Sequence, residues 1–366
     1  MKLIFIMSDS FRRDHIGTYG AKWTRTPNLD RLAAMSTVFD RCYVGSFPTL
    51  CNRRDIHLGV GYQGKAFNPW THISNDEIML AERLREKDVH TMLITDAVNT
   101  IFKGANHKGF DFFCINRGQE GDPVWSDNSV PLELSIPSHL IRYPIERWHR
   151  VLMNRANRRV EQDWFAPRTF KWACEWLQRN RTRDDFMLWV ETFDPHEPWD
   201  PPSWYIDYYD EGYEGRVFEA PTYGRCRDMG ITDEEAHHIH ARYCGECSMV
   251  DTAVGQLMTT LEELSLLDQT AIIFTSDHGV YQNLKGDNGL IGKPNRVGSD
   301  GMSMAGGAPM TPLLEFLPLR TALMRIPLFI HAPGQKTTRR SDEIVQPWDL
   351  TPTIMDMFGI PAPGYY

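Results

Sequence analysis

The chain alternates between short, continuous apolar runs and longer stretches in which apolar residues recur every three or four positions. Residues 2–7, Lys-Leu-Ile-Phe-Ile-Met, predict a strand buried on both faces that hands over directly to Asp9. Thr26-Pro27-Asn28 predicts a helix start, with threonine as N-cap and proline in the first turn, leading into Leu29, Leu32 and Ala33. An extended run over 37–44 delivers the chain to Ser46-Phe47-Pro48-Thr49. A helix is expected over about 76–86, then a strand over 90–95, a helix over 167–178 and a strand over 186–191 that runs into Asp194-Pro195-His196-Glu197-Pro198-Trp199. Residues 232–264 predict one or two long helices, with Val250, Val254, Leu257, Leu261 and Leu264 as a core stripe. The run 270–275 is the clearest strand, Asp277-His278-Gly279 follows it at once, and 325–330 predicts one more. Helix then strand, repeated, predicts a mostly parallel sheet.

The remaining stretches are less regular. About 118–165 carries prolines without a clear period and reads as an irregular excursion, a wall or lid of a pocket. The arginines over 147–159 read as a solvated helix face rather than a phosphate patch. With no internal repeat and no clean linker, residues 1–366 are taken as a single domain.

Composition narrows the function classes. A net charge of −9 argues against an obligate polyanion binder, so no nucleic-acid partner is expected. No apolar run approaches a membrane span, and the first one is too short for a signal-peptide core. The expectation is a soluble, cytoplasmic protein without a membrane partner. Seven cysteines, scattered and odd in number, suit free thiols. Cys244-x-x-Cys247 lies inside a helical pattern and reads as packing. His237, His238 and His240 look metal-like, but no acid pattern joins them, and no catalytic role is assigned to them.

The candidate chemistry follows strand ends. Asp9, Thr49, His196 and Asp277-His278 each come a few residues after an extended run, and in open α/β sheets functional groups collect at the carboxyl ends of strands. Two carboxylates and an imidazole suit one divalent cation, Ca²⁺, Mg²⁺, Mn²⁺ or Zn²⁺. Thr49 could add an oxygen ligand. Coordination would lower the cost of its alkoxide, without which a threonine hydroxyl is a poor nucleophile.

Several blocks in order carry a resemblance: Asp9; residues 14–20, Asp-His-Ile-Gly-Thr-Tyr-Gly; residues 26–32; residues 46–59; Asp194 to Trp199; Ser248-Met249-Val250-Asp251; residues 275–279; and Gly292-Lys293-Pro294. Through most of its length the chain resembles the sulfatase branch of the alkaline phosphatase superfamily. The resemblance implies an α/β fold, an alkaline-phosphatase-like three-layer sandwich with a large, mostly parallel central sheet. It implies Asp9, Asp277 and His278 as metal ligands, with Thr49 at the nucleophile position. By the same resemblance Arg53 supports the nucleophile and the anionic group, His196 contacts the ester and serves the leaving oxygen, and Lys293 neutralises the transferred group.

The sequence departs from that pattern at the nucleophile. Sulfatases of the well-known type carry cysteine four residues before the arginine and oxidise it to formylglycine. Four residues before Arg53 lies Thr49, whereas four beyond Cys51 lies Asp55, so no formylglycine is expected. A threonine ester cannot collapse as the hydrated aldehyde does and must be cleaved by water. Threonine nucleophiles resemble those of phosphoethanolamine and lipoteichoic-acid transferases, which leans the chemistry towards phosphorus esters. Ser10 stands where many sulfatases have a second acid, and Asn288 where a histidine often follows. The chain ends soon after the block Trp348 to Ile354, so the family's small C-terminal subdomain is expected to be short or absent, with a homo-oligomeric partner as one way to complete the pocket. The reading is a metal-dependent hydrolase of small anionic sulfuric or phosphoric/phosphonic esters acting through a covalent intermediate on Thr49. The alternatives are a phospho-group transferase using Thr49 and a catalytically silent, ligand-binding relative.

Overall fold

A computed structural model describes residues 1–61, 72–293 and 319–362. Its strands are β1 (Lys2–Ser8), β2 (Thr37–Cys42), β3 (His90–Thr95), β4 (Phe112–Ile115), β5 (Phe186–Thr192), β6 (Gly224–Arg225), β7 (Thr270–Ser276), β8 (Tyr281–Gln282), β9 (Leu290–Gly292), β10 (Leu328–His331) and β11 (Arg339–Val345). Eight of them form one sheet in the order β11-β2-β10-β7-β1-β5-β3-β4. Neighbours run parallel except around β10, which is antiparallel to both β7 and β2.

The three central strands explain themselves from sequence. β1, β5 and β7 are buried at every position, which suits continuous apolar runs covered on both faces. Because side chains alternate, Ile4 and Ile6 of β1 join one core with Leu29, Phe170, Val254 and Leu257, while Leu3, Phe5 and Met7 join the other with Ile56, Leu84 and Ile354. The first face is covered by the helices Pro27–Ala34, Phe165–Asn180 and Asp233–Glu263, and the second by Thr49–Leu58, Leu80–Arg85 and Leu350–Met357. The result is the three-layer α/β/α sandwich with a large, mostly parallel sheet.

Local differences from expectation have local causes. The helix expected over 76–86 spans only Leu80–Arg85, because Ser74, Asp76 and Glu77 tie one another into a turn and the Glu82 side chain accepts from the Met79 N–H at 2.9 Å. The run 37–44 keeps strand form as far as Cys42, and the strand expected over 325–330 is Leu328–His331. Residues 232–264 form one helix, Asp233–Glu263, begun by a capping box in which Thr232 and Glu235 serve each other's N–H groups. Thr26 does precede a helix, yet its hydroxyl accepts from Gly17 instead. The free N–H groups of that helix go to Asp251, whose carboxylate accepts from Leu29 at 2.7 Å and from Asn28 at 3.2 Å. Three of the five arginines over 147–159 are paired with acids, Arg147 with Glu120, Arg155 with Asp200 and Glu219, and Arg158 with Asp200, while Arg150 and Arg159 donate to backbone carbonyls.

Two close approaches set the entry to the rim. Gly45, just before the Thr49 turn, lies against the Trp348 ring, where any side chain would collide with the indole. Gly292, the last residue of β9, combines a φ of 79° with a Tyr223 ring where its side chain would be. It positions Lys293 at the end of the small β6-β9-β8 sheet. Pro294, the last residue of that block, lies outside the described residues.

Replacing Asp251 with alanine should lower unfolding free energy by about 2 kcal/mol, since the buried Leu29 N–H and the partly buried Asn28 N–H lose their acceptor. Asp251→Asn, which keeps an acceptor oxygen, should cost less. An unchanged denaturation midpoint in Asp251→Ala would refute the capping role.

Candidate functional site

The parallel register puts the strand ends side by side. Ser8 of β1 is level with Thr192 of β5 and Ser276 of β7, so Asp9 and Asp277 leave the sheet together and Glu191 lies one residue below. The helix Thr49–Leu58 begins against this rim, and its i, i+4 spacing puts Thr49 and Arg53 on one face.

Arg53 is fully buried and gathers the acids. Its Nε donates to Glu191 at 2.5 Å, one Nη donates to Asp9 at 3.1 Å, and the other to Asp277 and, at 3.2 Å, to the Thr49 carbonyl. Burial works against the guanidinium charge, but Glu191, Asp277 and Asp9 outweigh it and hold the group above its ordinary pKa. One guanidinium therefore faces three buried carboxylates. Even with the buried Lys293 counted, two positive charges meet three negative ones. Burial, and Asp277 beside it, raise the Asp9 carboxyl, and burial raises Glu191 against the pull of Arg53. A buried excess of negative charge calls for a further cation.

The donors for one converge here. Ligand atoms of Asp9, Asp277 and His278 lie within 4.8 Å of one another. His278 donates from Nδ1 to the Gly279 carbonyl at 2.9 Å, which leaves the Nε2 lone pair facing Thr49 Oγ1 at 3.2 Å. Burial, and then Lys293, lower His278 to about 3, so its approach to Asp277 at 3.4 Å is two donor atoms converging rather than an ion pair. Two carboxylates, a neutral imidazole and a hydroxyl fit a hard or borderline divalent metal.

The predicted residues around this cluster are placed as follows. Lys293 is buried and donates to Ser10 Oγ at 3.2 Å, and Ser10 Oγ donates to Asp9 at 2.6 Å. Ser10, with φ 62°, also directs its N–H to Asp277 at 2.9 Å. It thus links the lysine to both acids from the position of a second acid. His196 is buried, stacks on Phe193 and donates from Nδ1 to the Glu197 carbonyl at 2.7 Å. Burial, with Lys293 and Arg142 nearby, holds it neutral, well below its ordinary pKa. Asn288 is not at the site. It occupies a left-handed turn between β8 and β9, beside a cleft lined by Arg225, Cys226, Asp233 and Asn283.

Some residues escaped the sequence reading. Glu191 carried a signal, being the one acid inside a wholly buried strand. Arg142, Tyr143 and Glu120 carried none, since they lie in the irregular stretch, where Arg142 pairs with Glu197 and Tyr143 donates to Glu120 at 2.9 Å. Asn52, one turn after Thr49, is fully buried, and both its amide atoms lack a partner among the described residues. The signal there was its spacing from Thr49.

Comparison with known proteins agrees with this architecture. The sulfatase family model matches residues 2–360. An arylsulfatase of Clostridium perfringens is 24% identical over 396 residues, covering 99% of this chain and 75% of its own length. The uncharacterized sulfatase YidJ of Escherichia coli is 26% identical, covering 98% and 68%. Among solved structures, the phosphonate monoester hydrolase of Agrobacterium radiobacter superposes with a TM-score of 0.72 at 17% identity, covering 98% of this chain and 73% of that one. The chain belongs to the sulfatase family of ester hydrolases.

Two tests follow from the local electrostatics. Burial lowers Lys293 to about 8, so the ammonium loses its proton and its charge as pH rises through that value. For an anionic ester, kcat/KM should hold steady up to about pH 8 and then fall about tenfold per unit, and Lys293→Met should lose that limb along with most of the activity. A wild-type profile flat to pH 10 would contradict the assignment. Burial also pushes the Cys51 thiol up to about 12, so it should stay unmodified and resist alkylation in the native protein. Peptide mass spectrometry showing an aldehyde at Cys51 would overturn this.

Proposed function

We propose that this chain hydrolyses small, singly charged esters of sulfuric, phosphoric or phosphonic acid by attack of Thr49, with phosphorus esters favoured. The observation that carries the reading is the position of Thr49. Its hydroxyl sits 3.2 Å from His278 Nε2, at the start of a helix whose fifth residue, Arg53, is locked among three carboxylates. The names of the relatives, an arylsulfatase and a phosphonate monoester hydrolase, bracket the same ester class.

Asp9, Asp277, His278 and Thr49 would hold one divalent metal, which when bound lowers the pKa of the threonine hydroxyl and shares the ester's charge. Arg53 keeps the Thr49 turn fixed through its bond to the Thr49 carbonyl. The helix start adds N–H groups and a positive dipole end beside the reacting oxygen. Lys293 offsets negative charge on the transferred group. Thr49 Oγ forms a bond to sulfur or phosphorus as the bond to the leaving alkoxide breaks, and the alkoxide takes up the proton that the Thr49 hydroxyl gives up.

His196 suits the second half of the reaction. With Nδ1–H held by the Glu197 carbonyl, its free Nε2 can accept a proton from water. The water oxygen then attacks sulfur or phosphorus, the bond to Thr49 Oγ breaks, and the proton held by His196 passes on to the Thr49 oxygen, restoring the hydroxyl and the neutral imidazole. A sulfated threonine is slow at this step, having no elimination route, which is why phosphorus esters are favoured.

At saturating metal, Thr49→Ala should cut kcat for a chromogenic phosphodiester or phosphonate monoester by about 10³-fold or more, while Thr49→Ser keeps a measurable fraction. Product should form without any added acceptor alcohol. A Thr49→Ala protein with near wild-type turnover would remove the nucleophile from the proposal.

A further inference from the structure

A second group of metal-ligating side chains lies outside this site. His15, in the turn after β1, meets His240 and Cys244 of the long helix Asp233–Glu263, and the three ligand atoms fall within 4.8 Å of one another. His15 Nε2 is 2.8 Å from His240 Nε2, which is 3.3 Å from Cys244 Sγ. His240 and Cys244 are spaced i, i+4, which puts them on one helical face.

Asp14 accepts from His15 Nδ1 at 2.8 Å, which fixes the tautomer and turns the His15 Nε2 lone pair towards the cluster. His240 Nε2 can then donate to His15 or, as the other tautomer, accept from the Cys244 thiol, whose other neighbour is the Thr24 hydroxyl at 3.6 Å. A cation that accepts one lone pair from each would engage all three ligand atoms at once. The carboxylate behind a ligating imidazole is the usual support of such a ligand. Tetrahedral zinc, with bonds of about 2.0–2.1 Å to nitrogen and about 2.3 Å to sulfur, would need the two nitrogens about half an ångström further apart and His240 Nε2 and Cys244 Sγ about a quarter of an ångström further apart.

We propose that His15, His240 and Cys244 form a second metal site, separate from Asp9 and Asp277, that takes zinc with water in the fourth position. Two imidazoles and a thiolate are a softer set than the rim's carboxylates and select zinc over calcium or magnesium. On binding, the Cys244 thiol releases its proton to solvent, a sulfur–zinc bond forms, and both imidazoles bind through Nε2. His15 is buried and His240 is half-buried. A reactive thiolate–imidazolium pair is the competing use of these residues, but burial pushes the thiol up to about 12 and His240 down to about 2, which leaves both neutral. The site's role is to staple. Tyr243, next to Cys244, accepts from the Arg12 N–H at 2.9 Å and donates to the Ser10 carbonyl at 2.8 Å, so zinc here would fasten the segment after Asp9 to the long helix.

The test is cobalt substitution of the full chain, which reports the ligands without relying on turnover. After chelation, added Co²⁺ should give the visible bands of a tetrahedral ion with a thiolate-to-cobalt charge-transfer band, complete at one equivalent in Asp277→Asn. The band should persist in Asp277→Asn, which empties the rim, and vanish in Cys244→Ser, whose side chain keeps the volume and shape of the original. Zinc should raise the unfolding midpoint of Asp277→Asn but not of the double variant Asp277→Asn/Cys244→Ser, in which both sites are disabled. Absence of a thiolate band in the wild type, or its survival in Cys244→Ser, would overturn the proposal.

Discussion

The structure of the rim depends on one side chain, the guanidinium of Arg53, held without solvent among Glu191, Asp9 and Asp277. Each acid comes from a different central strand, so the clamp ties β1, β5 and β7 to the helix that starts at Thr49. A guanidinium suits this role because its planar fork supplies several donors in fixed directions, which an ammonium does not. The three acids exceed the charge of their arginine. That imbalance supports reading the cluster as a place where a cation could bind, as well as a structural joint.

The imidazoles fit the same electrostatics. His278 and His196 are both neutral, each with Nδ1–H held by the carbonyl of the residue that follows it, and so each has a lone pair free on Nε2. One faces Thr49, where a ligand atom is needed. The other lies among Lys293 and Arg142, whose charges keep it unprotonated until an anion arrives. The backbone thus sets the tautomers, and the surrounding cations set the protonation.

What the sequence revealed followed from burial. Strands β1, β5 and β7 are covered on both faces, so their apolar runs are continuous and easily read, and the acids and histidine just beyond them stood out. Edge strands carry no such mark. In β11, Arg-Arg-Ser-Asp-Glu precedes Ile344 and Val345, and β4 exposes Phe112 and Phe113, so neither was foreseen. Arg142 and Glu120 reach the site from a stretch without period, where only tertiary contact assigns a role. The cluster of His15, His240 and Cys244 joins residues 225 positions apart, and His240 and Cys244 read singly were a polar helix face and a packing thiol. Among the described residues no helix is long and apolar enough to cross a membrane.

The account turns on Thr49 carrying the transferred group. Wild-type protein should be quenched in acid during turnover of a slow sulfate or phosphonate ester and digested, and the peptide spanning residues 46–53 examined by tandem mass spectrometry. The account predicts the added mass of one sulfo or phosphonyl group on Thr49 and none in Thr49→Ala. Steady turnover with an unmodified Thr49, or with the added group on another residue, would contradict it.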